Sequence, residues 1–182
     1  MANSCTFLLA FFCMFYYTAY KSAEIIDETK YYKIVYLNFA YYYYIFDENY
    51  DIVKSDGPLM KQPRITMVDN HLIKFTLQTG TGLGTQWGYY CDTETGMVSE
   101  VYSSIYDQCN KKVAYGEPKK VVITDIFDNT KFYQEILNFK YPLSEMAEPI
   151  KMVKFIDDGD KVEVSYFTGV GYEEVKEVFD LT

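Results

Sequence analysis

The sequence predicts an all-β fold of antiparallel hairpins with one short helix near residues 130–139. Three observations lead there. Aromatic residues form 19% of the chain, with twenty tyrosines and thirteen phenylalanines, and such side chains suit a pleated, half-buried surface. Short apolar or alternating runs recur from Ile34 onward. Each run is broken by Asp, Asn, Gly or Pro, the residues that turn a chain. At 182 residues and 49% apolar content the chain is long enough for a core and too apolar for disorder.

Taken in order, residues 1–20, "MANSCTFLLAFFCMFYYTAY", carry no charge, and Lys21 is the first ionised side chain. Such a run predicts an export signal or membrane anchor over residues 1–23, and hence a secreted or membrane-anchored protein. The alternative is a buried first strand, because no lysine or arginine precedes the run and no small-x-small cleavage site follows it. Residues 24–182 are expected to form a single all-β domain. "YYYYIFDENYDIVKSDG" reads as a hairpin with Asp47, Glu48 and Asn49 in the turn and Gly57-Pro58 ending its second strand. "RITMVDNHLIKFTLQTG" turns at Asp69-Asn70, and "WGYYCDTETGMVSEVYSSIYD" turns through Thr93 to Gly96. "KKVAYGEPKKVVITDIFDN" turns at Gly116 to Pro118. In "IKMVKFIDDGDKVEVSYFTG", Val162, Val164 and Tyr166 alternate with Lys161, Glu163 and Ser165 after an Asp-Gly turn. The helix is read from "NTKFYQEILNFK", where Phe132, Tyr133, Ile136 and Leu137 share a face and Asp128 or Asn129 can cap. "YEEVKEVFDLT" fits a closing strand through Val175, Phe179 and Leu181, or a helix through Tyr172, Val175 and Phe179.

A short strand, a turn and a longer strand recur as Ile65–Val68 into Leu72–Leu77, Val113–Tyr115 into Lys120–Thr124, and Val153–Phe155 into Lys161–Tyr166. Spacings of roughly 40 to 50 residues mark propeller blades. The stretch "VKFIDDGDKVEVSYFTG", an aromatic before an acidic-Gly turn and an alternating strand after it, resembles a β-propeller blade hairpin. The resemblance extends over the last ~120 residues and implies blade-like repeats. It lacks the Gly-His and Trp-Asp pairs of WD repeats. An antiparallel sandwich or open barrel accounts for the same hairpins and is the preferred architecture.

The chemistry is read mostly by exclusion. A net charge of −9 repels phosphate backbones, and no basic cluster offsets it, so nucleic acid is not an expected partner. The stretch "FTLQTGTGLGTQWGYYCDTETG" holds five of the ten glycines and the only tryptophan. Its glycines at 80, 82 and 84 give G-x-G-x-G without a following Gly-Lys, and a strand-like run comes next. Phosphate loops open a helix instead, so a connector is expected there and no cofactor is implied. One histidine, His71, lies two residues from Asp69 with no nucleophile elbow in the sequence, which is poor triad spacing. The "DDGD" at 157–160 lacks calcium-loop spacing and reads as a turn. Neither cysteine pair has zinc-site spacing, and no metal is expected.

Cys5 and Cys13 lie in the apolar leader, and Cys91 and Cys109 in the body. In an exported chain Cys91 and Cys109 become a candidate disulfide worth about 3 kcal/mol. What remains favours binding over catalysis. Trp87, Tyr89 and Tyr90, flanked by glycine, are the candidate ligand-binding residues for a protein or carbohydrate. Membrane contact is expected only through the N-terminal segment. The alternatives are a structural domain or a fragment of a larger β assembly, and a hydrolase using paired carboxylates.

Overall fold

The structure is a computed structural model that describes residues 23–78, 86–117 and 119–181. The apolar leader and the glycines at 80, 82 and 84 lie outside the described residues. The described residues are all-β, with four antiparallel sheets, none closed into a barrel. The described residues fall into two compact units, one running up to Pro63 and one from Arg64 onward.

The first unit holds β1 (Glu24–Glu28), β2 (Tyr32–Leu37), β3 (Ala40–Phe46) and β4 (Ile52–Leu59), hydrogen-bonded in that order. The β2–β3 link has two residues, Asn38 and Phe39, both with positive φ (51° and 64°). That backbone matches the right-handed twist of the strands it joins. Of the four consecutive tyrosines in β3 only Tyr43 is fully buried, with Ile45 beside it on the same face. Gly57-Pro58 lies inside β4 and does not end it. An edge strand tolerates that proline. A side chain at Gly57 would meet the Tyr42 ring at 2.5 Å, opposite a bulge between Tyr41 and Tyr43.

The second unit contains three sheets in chain order. The first is β5 (Arg64–Met67), β6 (Leu72–Gln78), β7 (Gln86–Asp92) and β8 (Tyr102–Ser103). The second is β9 (Ile105–Cys109), β10 (Lys112–Glu117), β11 (Lys120–Asp125) and β12 (Phe132–Ile136). The third is β13 (Ile150–Ile156), β14 (Lys161–Thr168) and β15 (Glu173–Asp180). The middle sheet is buried on both faces. Val113 and Ile105 join Leu72, Tyr90 and Tyr102 in one core. Ala114, Val121 and Ile123 join Val153, Val162, Val164 and Tyr166 in another. Strand alternation divides adjacent residues between these two cores. The hairpins read as a repeat do not hold equivalent places. Ile65–Val68 with Leu72–Leu77, and Val153–Phe155 with Lys161–Tyr166, open their sheets, whereas Val113–Tyr115 and Lys120–Thr124 lie in the middle two strands.

The helix expected at 130–139 is not formed. Residues 132–136 are strand β12, paired to β11 from Phe132↔Thr124 to Ile136↔Val121. A bulge between Ile123 and Thr124 leaves Tyr133 without an opposite residue. That breaks the period-2 pattern and leaves a spacing that imitates a helix face. Phe132 and Leu137, assigned to that face, are both exposed. The ambiguous "YEEVKEVFDLT" resolves as a strand, since all of β15 pairs with β14.

Aspartates build the turns. The Asp47 carboxylate accepts N–H bonds from Asn49 and Asp51, at 2.8 and 2.9 Å. Asp69 accepts from His71 and Leu72, and Asp92 from Glu94 and Thr95. Asp125, 5% exposed, accepts from Phe127 and Asp128. Each carboxylate replaces a backbone acceptor where the chain reverses. These four of the 26 acidic residues are therefore committed to turns.

The tyrosine-rich cores make the fold sensitive to alkali. Burial pushes the Tyr90 phenol upward and that of Tyr102 up to about 12. The Tyr102 hydroxyl also donates to the Ile126 carbonyl at 2.7 Å. A raised folded-state pKa means that the unfolded chain releases its proton first. The contribution to stability is therefore complete below about pH 10 and lost as pH climbs toward the folded values. Absorbance titration should find these two phenols silent until circular dichroism reports unfolding.

Candidate binding cleft

Trp87, Tyr89 and Tyr90 all lie on β7, and the structure separates them. Tyr89 stacks on Phe75, with ring centroids 4.7 Å apart, and is 2% exposed. Tyr90 points to the opposite face, fully buried. Its hydroxyl donates to Gln108 Oε1 at 3.0 Å, and Lys74 Nζ donates to the same oxygen at 3.2 Å. These two tyrosines are core and cannot form the expected ligand site. Trp87 is half-buried, 5.5 Å from the Phe75 ring. Trp87→Ala is expected to cost about 2 kcal/mol, the loss of a partly buried aromatic side chain, and thermal melts should report it.

Cys91 and Cys109, the pair expected to bond in an exported chain, are not joined in a disulfide in this structure. Cys91 is buried in β7. Cys109 packs against the core between the second and third sheets, where its sulfur lies 3.2 Å from the position of a β-carbon on Gly159. Different packing environments hold the two thiols. His71 is exposed and works through its backbone, accepting from Thr93 N–H and hydroxyl at 2.9 and 3.1 Å. The "DDGD" turn is fixed by protein contacts. Lys161 pairs with Asp157 at 2.9 Å, Asn110 Nδ2 donates to the Asp158 carbonyl and Lys112 Nζ to that of Gly159. Among the described residues no three His, Cys, Asp or Glu side chains converge as a metal site.

A cleft of about 260 Å³ opens where the connection after β12 meets the β14–β15 turn. Pro142, Leu143, Ser144 and Glu145 form one wall, and Gly169, Val170 and Tyr172 the other. The first wall is stitched to the end of β14. Ser144 N–H donates to the Phe167 carbonyl at 2.8 Å, Leu143 bridges Thr168, and Thr168 Oγ1 donates to the Pro142 carbonyl at 2.6 Å. On the second wall Val170 is 97% exposed and Tyr172 58%. Tyr172 has φ 53°, a left-handed conformation it shares with eight other described non-glycine residues. The Ser144 hydroxyl is buried without a hydrogen-bond partner. No base activates it, so it is not placed as a nucleophile. A second shallow cleft shares Pro142 and Leu143 and adds Phe139 and Tyr141.

The cleft therefore offers an aromatic face, aliphatic walls and the Glu145 carboxylate. Sequence reasoning missed it because Tyr172 and Pro142 are 30 positions apart and carry no motif. Two carboxyls elsewhere are held below their usual range: Asp128 by the Thr130 hydroxyl and N–H, and Glu174 by Lys151 and Ser165.

No protein-family model and no curated protein matches the sequence. Among solved structures the chain is similar to "KlHsv2 with loop 6CD replaced by a Gly-Ser linker", with 9% identity and TM-score 0.28 over 88% of this chain and 71% of that chain. It is also similar to Kluyveromyces lactis Hsv2, with 8% identity and TM-score 0.27 over 88% of this chain and 73% of that chain. At these scores the likeness carries no argument about fold or function.

Proposed function

We propose that the chain is an all-β binding module, exported or anchored through its N-terminal apolar segment, that takes a protein or carbohydrate ligand in the cleft beside Tyr172. The observation that carries this reading is an exposed Tyr172 and Val170 at the lip of a cleft whose opposite wall includes Glu145. Aromatic side chains ordered before binding lose little entropy on contact and are enriched where binding energy concentrates. The test is to probe immobilised peptide and glycan arrays with the wild-type chain and with Tyr172→Ser. Signals on either array that vanish in the variant, with melting unchanged, support the reading. Silence on both arrays, or signals indifferent to the substitution, would overturn it.

A further inference from the structure

Ser144 lines the cleft and is 2% exposed, yet its hydroxyl has no hydrogen-bond partner among the described residues. A buried hydroxyl in that state costs the fold its lost hydration and returns nothing. The backbone around it is already engaged. Ser144 N–H donates to the Phe167 carbonyl, Leu143 bridges Thr168, and the Pro142 carbonyl accepts from Thr168 Oγ1. With that backbone spent on β14, polar recognition in the cleft falls to the side chains of Ser144, Glu145 and Tyr172. Glu145 is exposed, and among the described residues it enters no ion pair.

We propose that the cleft takes one neutral sugar ring, with a ring hydroxyl bonded to Ser144 Oγ and an apolar C–H face against Tyr172. A serine hydroxyl both donates and accepts, and so does a sugar hydroxyl. An ammonium group only donates and a peptide carbonyl only accepts, so either would use one side of Ser144. A sugar ring also carries further hydroxyl donors for the Glu145 carboxylate and a C–H face for an aromatic ring. Size agrees with this choice. The cleft of about 260 Å³ lies under the range of about 300–1,000 Å³ that holds drug-sized ligands. That is room for one ring, not for a chain threaded through. Charge narrows the kind of sugar. Among the described residues Glu145 is the one charged side chain lining the cleft, and the whole chain carries −9. Acidic and sulfated rings are therefore repelled.

This rests on the binding-module reading and narrows its ligand, and the experiment separates the two. The full chain is titrated by saturation-transfer NMR with methyl β-glucoside, methyl β-galactoside, methyl α-mannoside and N-acetylglucosamine. N-acetyl-lysine methylamide serves as the peptide probe and methyl β-glucuronide as the acidic one. At least one neutral glycoside is expected to bind, and one of its monodeoxy analogues to lose about tenfold, the worth of one hydrogen bond. Ser144→Ala should lose about the same factor for the parent glycoside and nothing further for that analogue, because one bond cannot be removed twice. The melting temperature of Ser144→Ala should not fall, since the change strands no partner in the free protein. No glycoside binding, additive losses from variant and analogue, or a preference for the glucuronide over its neutral parent would overturn the proposal. A lowered melting temperature with binding intact would assign the hydroxyl to the fold and overturn it too. Binding of the lysine probe alone, abolished by Tyr172→Ser, overturns the sugar and leaves the cleft standing. Glycoside binding that is coupled to Ser144 but indifferent to Tyr172→Ser keeps the sugar at Ser144 and overturns the reading centred on Tyr172.

Discussion

Phe75→Ala is expected to destabilise the second unit by about 3–5 kcal/mol, from lost transfer free energy and a residual cavity. Phe75 is fully buried in β6, with Tyr89 stacked at 4.7 Å and Trp87 at 5.5 Å. Truncation removes both ring contacts at once, and neither neighbour can collapse into the gap without leaving its strand position. For a chain of this size each kcal/mol lowers the melting temperature by about 2–4 °C, so a drop of roughly 10 °C follows. The single tryptophan lies in the second unit and reports its unfolding by fluorescence. Phe132→Ala, at a position 58% exposed, should move the same transition by less than about 0.5 kcal/mol. Equal effects from the two substitutions would mean that the assigned core is wrong.

Gly88→Ala should cost about 3 kcal/mol although it adds one methyl group. Gly88 lies in β7 opposite Thr76, and a β-carbon there would stand 2.3 Å from the Phe75 carbonyl oxygen. That contact is to backbone, so no rotamer change relieves it. The strands must separate or slide, and the Trp87 and Tyr89 rings go with them. By contrast, Gly96→Ala meets no atom within 4 Å, and its φ of 71° makes any cost purely conformational. Urea titration followed at the tryptophan separates the two: a shifted midpoint at unchanged slope is expected for Gly88→Ala. An unshifted midpoint would sink the close-approach account.

These residues also show where sequence reading succeeds. The turns were legible because Asp47, Asp69 and Asp92 perform a local task, bonding N–H groups a few positions ahead. Local chemistry leaves a local signature. The sites of Tyr89 and Tyr90 were not legible, because β7 is buried on both faces and only the fold decides that. An aromatic beside glycine reads equally as an exposed contact or as a tight crossing, and Gly88 is the crossing. The helix at 130–139 failed through one bulge, where Tyr133 is the extra residue of β12 between Phe132 and Gln134 and shifts the alternation of its own strand toward a helical spacing. The cleft depends on Pro142 meeting Gly169 through the Leu143–Thr168 bridge, a pairing across sequence without periodicity.

Each sheet is wound from one uninterrupted stretch of chain, every strand beside its sequence neighbour. Strand pairing therefore closes only short loops, and little chain entropy is lost before the first hydrogen bonds form. A nascent chain can finish one sheet before the residues of the next have been made, at ribosomal speeds far slower than hairpin formation. The buried faces of the middle sheet, once formed, wait for β13 and β14 to arrive and cover one of them. For that interval the growing chain exposes valine and isoleucine from β11, and it is then that a chaperone would have something to hold.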